Sequence, residues 1–188
     1  MPILIVVCGI IATGKSTVAK KVSGATGIEL IRSDRVRKEL AGMSPEEHAY
    51  EEYGEGIYTP EFSKKTYEEM MVRAKDRLSK GSSVILDATF SKKWQREAAK
   101  EVAVKKGARF LCIETVTPNE VIKERAEQRT ESGESISDGR LELLPQIREN
   151  FEKIDELEEE EYVVIDTSKE EEEKEKMNKI LEDIQNYL

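Results

Sequence analysis

The segment Gly9-Ile10-Ile11-Ala12-Thr13-Gly14-Lys15-Ser16 constrains this chain more than any other stretch. Before it runs a continuous apolar, β-branched segment, Ile3 to Cys8, as expected of a central parallel strand covered on both faces. After it Val18, Ala19 and Val22 recur at helical spacing, so a helix should open near Lys15. Glycines at 9 and 14 permit backbone angles and a close approach that a Cβ would block. Between a strand and a helix, the N–H groups of such a loop and the helix N-terminus point at phosphate oxygens. The spacing therefore predicts a nucleotide-phosphate cradle formed by Gly9, Ile10, Ile11, Ala12, Thr13, Gly14, Lys15, Ser16 and Thr17. Lys15 would place its ammonium among the β- and γ-phosphate oxygens, and the Ser16 hydroxyl would bind Mg²⁺.

The remaining punctuation extends this strand–loop–helix unit along the chain. Further strands are expected at Ile28–Ile31, Ser83–Asp87, Arg109–Val116 and Tyr162–Ile165. Helices are expected over about 35–41, 61–80, 92–106, 118–128, 140–157 and 170–187. Residues 42–60 are rich in Gly, Pro and Tyr and read as a loop-rich stretch, and residues 129–139 as a mobile one. Strands alternating with helices specify an α/β fold: an open parallel sheet with right-handed crossovers. At 188 residues the chain has room for one domain, residues 1–188. Ligands of such sheets sit beyond the carboxyl ends of the strands. The segments 9–16, 33–37, 87–90 and 166–168 should therefore share one edge.

Composition narrows the partners less than it first suggests. The formal charge is −9, but residues 149–175 hold 14 acids and 3 bases, whereas residues 1–148 hold 23 acids and 25 bases. The part with the motifs is thus near neutral, and overall charge does not decide the substrate. The Glu158–Glu161 and Glu170–Glu173 runs read as solvated helix faces. Cys8 and Cys112 lie in apolar strands without metal-ligand spacing, so two buried reduced thiols and no disulfide-linked partner are expected. The apolar N-terminus lacks the basic flank of a signal peptide, and no run reaches the ~20 residues of a membrane helix. A cytoplasmic protein without a membrane partner is expected.

Three clusters could carry chemistry beside the cradle. Asp34 follows the second strand, and Arg37 lies one turn on. That carboxylate can accept a hydroxyl proton while the guanidinium grips an anionic acceptor, although the two could equally be a helix cap with an i,i+3 ion pair. After the third strand come Asp87-Ala88-Thr89-Phe90 and then Arg96. Asp87 could hold Mg²⁺ through water or bind the acceptor, with Thr89 and Arg96 beside it, or it could only cap a turn. Arg125 and Arg129 share a helix face and lead into residues 129–139. They fit a lid over 125–139 that closes on ATP and stabilises the transferring phosphoryl group; the alternative is surface arginines paired with Glu124 or Glu127.

Taken together, Gly9–Ser16, Asp34-x-x-Arg37, Asp87-Ala88-Thr89-Phe90 and the Arg125/Arg129 helix with Ser137-Asp138 after it resemble the P-loop kinases related to bacteriophage polynucleotide kinase. Zeta-type toxins, chloramphenicol phosphotransferase and gluconate kinase belong to the same group. The resemblance implies a three-layer P-loop NTPase fold with strand order 2-3-1-4-5, Asp34 as general base and Arg37 on an acceptor phosphate. It also implies nucleobase contact near Thr167 and Ser168. The chain departs from polynucleotide kinase in having no phosphatase or ligase domain and no run of aromatics and bases for stacking on a strand; Tyr50, Tyr53, Tyr58 and Phe90 are the nearest candidates. No Asn-Lys-x-Asp guanine motif occurs. The expectation is transfer of the ATP γ-phosphoryl to an acceptor hydroxyl, with a small molecule favoured over a polynucleotide 5′-hydroxyl and a non-catalytic ATP-binding module as the contrasting class.

Overall fold

A computed structural model describes residues 1–44, 56–131 and 144–186, without the side chains of 129–131. Its centre is β1, Ile3–Cys8, buried at all six positions. β1 pairs in parallel with β3 (Val84–Asp87) on one side and β4 (Arg109–Val116) on the other. β2 (Glu29–Arg32) and β5 (Tyr162–Asp166) complete a five-stranded sheet of order β2-β3-β1-β4-β5. This is the three-layer P-loop arrangement, and its order matches the one implied by the resemblance.

Strand alternation sends successive β1 side chains into two cores. Leu4, Val6 and Cys8 pack with Met70, Tyr67, Ala99, Ala103 and Phe90, on the face covered by α3 (Pro60–Ser79) and α4 (Lys93–Lys105). Ile3, Ile5 and Val7 pack with Val18, Val22, Met177, Ile180 and Ile184, on the face covered by α1 (Lys15–Thr26) and α7 (Glu170–Gln185). Each of these larger side chains contributes roughly 1.5–3 kcal/mol when fully buried. Cys8 and Cys112 are both free and buried, with sulfurs 3.6 Å apart.

Local signals set most element ends. Gly27 closes α1 in the left-handed conformation, its N–H donating to the Ser23 carbonyl. Thr59 caps α3 by accepting from the Phe62 N–H, with Pro60 opening the helix. The acidic runs lie largely on exposed surface, although Glu173 pairs with Lys21 and Glu161 with Lys100. Among the described residues no helix is long and apolar enough to cross a membrane.

The helix expected over 140–157 ends early. Among the described residues helix α6 covers Leu144–Glu149, residues 140–143 lie outside them, and residues 151–158 are irregular. Phe151, Ile154 and Leu157 leave the helical path to pack on the α3/α4 face. The Glu152 N–H bonds the Ser91 carbonyl, and the Lys153 carbonyl and Glu156 carboxylate both receive Arg96. These contacts to distant chain replace the i→i−4 bonds a continued helix would have made. Of the segment 129–139 expected to be mobile, residues 129–131 belong to the helix Asn119–Glu131, whereas 132–139, with Ser137 and Asp138, lie outside the described residues, as do Tyr50 and Tyr53.

Candidate active site

The loop after β1 has the shape a phosphate requires. Gly9 adopts φ 137° and Gly14 φ 85°, and Ala12, though not glycine, takes φ 60°. A Cβ on Gly9 would lie 2.5 Å from the Thr115 carbonyl oxygen, so β4 excludes any side chain there. The loop is tied down from below. The Thr13 hydroxyl reaches the Ile10 carbonyl at 2.8 Å and the Thr115 hydroxyl at 2.8 Å, and the Gly9 N–H donates to the Thr89 carbonyl at 3.2 Å. Ile10 and Ala12 pack on Ile122 of α5 (Asn119–Glu131) and Leu144 of α6. The Lys15 ammonium donates to the Ile10 carbonyl at 2.6 Å, which keeps it at the loop. Thr17 is exposed in the first turn of α1.

Ser16 and Asp87 meet across 71 residues of sequence. The Ser16 hydroxyl donates to Asp87 Oδ2 at 2.7 Å, and Asp87 is only 4% exposed. A hydroxyl and a buried carboxylate side by side at a phosphate loop are hard oxygen donors of the kind Mg²⁺ takes together with phosphate oxygens and water. Arg32, at the end of β2, joins them: its Nε lies 3.3 Å from Asp87 Oδ2 and its Nη2 3.4 Å from Ser16 Oγ. Nothing in its local pattern singled Arg32 out. Its position at a strand end two residues before Asp34 was the available signal.

The acceptor-side residues sit on α2 (Ser33–Leu40), which starts where β2 ends. Asp34 lies in its first turn, half exposed, 3.2 Å from the ammonium of nearly buried Lys38. The ion pair is thus i,i+4 to Lys38 and not i,i+3 to Arg37, and no side chain caps the helix. Arg37 turns instead to the Ile57 carbonyl at 2.6 Å and the Ser63 hydroxyl at 3.2 Å, its guanidinium 4.9 Å from the centre of the Tyr58 ring. Tyr58 therefore supports Arg37.

The β3–α4 turn is braced from both sides. Phe90 takes φ 47°, unusual for a bulky residue; its N–H donates to the Tyr67 hydroxyl at 2.9 Å. Its carbonyl accepts from Arg96 Nη1 at 2.8 Å. Phe90 is wholly buried and Tyr67 nearly so, and burial pushes the Tyr67 hydroxyl up to about 12. The expectation that Arg96 contacts an acceptor is corrected here. Its side chain is closed to solvent and bound to the Glu156 carboxylate at 2.5 Å as well as to Phe90 and Lys153. Thr89, partly exposed, keeps its place at the sheet edge.

On the opposite side Arg125 faces the turn after β5. Its Nη1 donates to Thr167 Oγ1 at 2.8 Å and to the Ala12 carbonyl at 3.3 Å, and its Nη2 to the Thr167 carbonyl at 2.7 Å. The Thr167 hydroxyl in turn bonds the Thr13 carbonyl at 3.0 Å. Ser168 is exposed and bonds Asp166, which holds that carboxyl below its ordinary range. The alternative pairing of Arg125 with Glu124 or Glu127 does not occur among its recorded contacts. Arg129 falls on α5, with its side chain outside the described set.

Comparison with known proteins agrees with this fold. The chain superposes on a Chloroflexus aurantiacus protein with TM-score 0.74 and 20% identity, covering 100% of this chain and 98% of that one. It superposes on the APS kinase of Mycobacterium tuberculosis, solved with AMPPNP and APS, with TM-score 0.62 and 14% identity over 98% and 97% of the two chains. For a gluconokinase from Sinorhizobium meliloti the TM-score is 0.59 at 18% identity, over 99% and 96%. At these identities the likeness is one of fold, and the fold is that of P-loop kinases. No curated protein sequence matches the chain. A family model described as an AAA domain matches residues 4–154, the span holding the phosphate loop, Asp34, Asp87 and Arg125, and the chain belongs to that family.

Proposed function

We propose that residues 1–188 act as one phosphotransferase domain, moving the γ-phosphoryl group of ATP to a hydroxyl on a small-molecule acceptor. The observation that carries the reading is the 2.7 Å contact between Ser16 of the phosphate loop and buried Asp87 of β3. A loop that served only as a structural turn would have no need of a buried carboxylate at its Ser. Mg²⁺ held by Ser16 and Asp87 would supply charge neutralisation on the β- and γ-phosphates. Lys15 binds the same oxygens as a mobile cation, and Arg125 with Thr167 and Ser168 forms the side of the site against which the nucleobase rests. Arg129 would add positive charge from the following turn of α5.

On the acceptor side, Asp34 takes the hydroxyl proton and Lys38 orients its carboxylate. Arg37 and Thr89 lie where an acceptor's polar groups would stand. The small-molecule acceptor is supported by the kinase fold shared with gluconokinase and APS kinase. It is also supported by the burial of Phe90 and the use of Tyr58 under Arg37, which leaves neither ring as a stacking platform.

The test is incubation with γ-labelled ATP and a panel of sugar acids, nucleosides, aminoglycosides and 5′-hydroxyl oligonucleotides. Labelled small-molecule product that disappears in Asp34→Asn supports the reading. Label on oligonucleotides alone would move the acceptor to polynucleotides. Tight ATP binding with no product from any class would make the chain a binding module.

A further inference from the structure

We propose that Arg32 is an internal competitor for the divalent cation, its guanidinium bridging Ser16 and Asp87 and yielding that place when the metal–nucleotide complex binds. The proposal rests on the reading of Ser16 and Asp87 as the metal's residues.

Three observations meet here. Arg32 contacts both members of the pair, Nε to Asp87 Oδ2 and Nη2 to Ser16 Oγ, so it occupies the space a cation shared by those oxygens would take. Asp87 is buried, and an ionised carboxylate in that position needs a counter-charge; Arg32 is the one cation recorded within ion-pair distance of it among the described residues. Arg32 itself is 40% exposed, in contrast to fully buried Arg96. It leaves β2 in extended conformation immediately before α2, so its long side chain can swing along the sheet edge without moving the backbone. A guanidinium and a divalent ion drawn to the same carboxylate oxygen repel each other, so each weakens the other's hold on Asp87. Metal binding must therefore include the cost of releasing Arg32, and removing Arg32 should tighten it. The contact is half open to water, so the effect is modest.

The measurement is Mn²⁺ binding by electron paramagnetic resonance in the presence of a non-hydrolysable ATP analogue, with full-length protein. Arg32→Gln should lower the Mn²⁺ dissociation constant about two- to fivefold. Arg32→Lys, which keeps the charge and loses the fork, should fall between the parent and Arg32→Gln. It also carries the test if the glutamine variant does not fold. Arg35→Gln removes an exposed charge three residues on, in α2, that reaches Glu39, and should leave Mn²⁺ binding unchanged. Unchanged or weaker Mn²⁺ binding in both Arg32 variants would overturn the proposal, as would an equal gain in Arg35→Gln, which would signal a general field. Ser16→Ala and Asp87→Asn separate the two layers. If they leave Mn²⁺ binding intact, the metal site is misplaced and the proposal falls with it. If they abolish binding while the Arg32 variants match the parent, the metal site stands and the competition does not.

Discussion

Arg96 and Glu156, 60 residues apart, form an ion pair at 2.5 Å with both side chains closed to solvent. The same guanidinium bonds the Phe90 carbonyl, and the peptide before Phe90 ends in the Thr89 carbonyl that receives the Gly9 N–H. One buried charge pair thus braces the β3–α4 turn against the phosphate loop and pulls residues 151–157 out of a helix.

Breaking that pair from one side should be costly, since the partner is left buried and unpaired. Arg96→Met and Glu156→Gln are each expected to lose about 3–5 kcal/mol of stability, read by denaturant unfolding. Arg96→Met combined with Glu156→Leu should lose less than either single change, because no charge is stranded.

The pair also sets an acid limb. Burial alone would push the Glu156 carboxyl up, but the hydrogen bonds and charge of Arg96 outweigh it and hold it below the usual value of 4.5. A carboxylate held low in the folded state stabilises the protein above its unfolded pKa, and that stability is lost as pH falls through the folded value. Unfolding measured below about pH 4.5 should therefore become steeply pH-dependent in the parent, and less so in Glu156→Gln. An identical acid limb in the two proteins would contradict this.

Gly9→Ala is expected to be damaging for a steric reason alone. The new Cβ would meet the Thr115 carbonyl at 2.5 Å, on a residue at φ 137°. The loop must shift or strain, at roughly 1–3 kcal/mol, and nucleotide affinity should fall with it. Gly24→Ala, where nothing lies within 4 Å, should be harmless or slightly stabilising to α1 and serves as the control.

Chemistry and binding should separate in two variants. Lys15→Ala should lower kcat/KM for ATP by about 10²–10³-fold, the effect of one lost charge-stabilising donor. Asp34→Asn should keep ATP affinity within about twofold and reduce kcat by about 10²–10⁴-fold, as for loss of a general base. Parent-rate transfer by Asp34→Asn would remove the base assignment.

Arg125→Lys is expected to raise the KM for ATP while leaving the fold intact. A lysine cannot donate at once to Thr167 Oγ1, the Thr167 carbonyl and the Ala12 carbonyl, as the guanidinium does. An unchanged KM for ATP would show that this turn does not touch the nucleotide.

How far the residues alone could be read depended on the range of the forces involved. β1, the phosphate loop and the start of α1 were legible because each is set locally: a β-branched run, glycines where a Cβ would clash, and an apolar face at helical spacing. The common edge for the segments 9–16, 33–37, 87–90 and 166–168 followed from parallel topology, and the parallel pairing of all five strands bears it out. Partners were a different matter. Asp34 could have paired with Arg37 or Lys38, both within reach on one helix, and the nearly buried Lys38 took it while Arg37 found Ile57, Ser63 and the Tyr58 ring. Arg96 follows the Asp87-Ala88-Thr89-Phe90 strand end on the next helix, a position that along the chain alone fits an acceptor contact. Glu156, supplied from far along the chain, put it in the core. Arg32 and Ser16 are 16 residues apart, and both reach Asp87 from different elements. The phosphate cradle was thus written in local sequence. Which charges meet around it depends on long-range packing, because an ion pair is chosen by distance and burial in three dimensions, and neither is encoded in spacing along the chain.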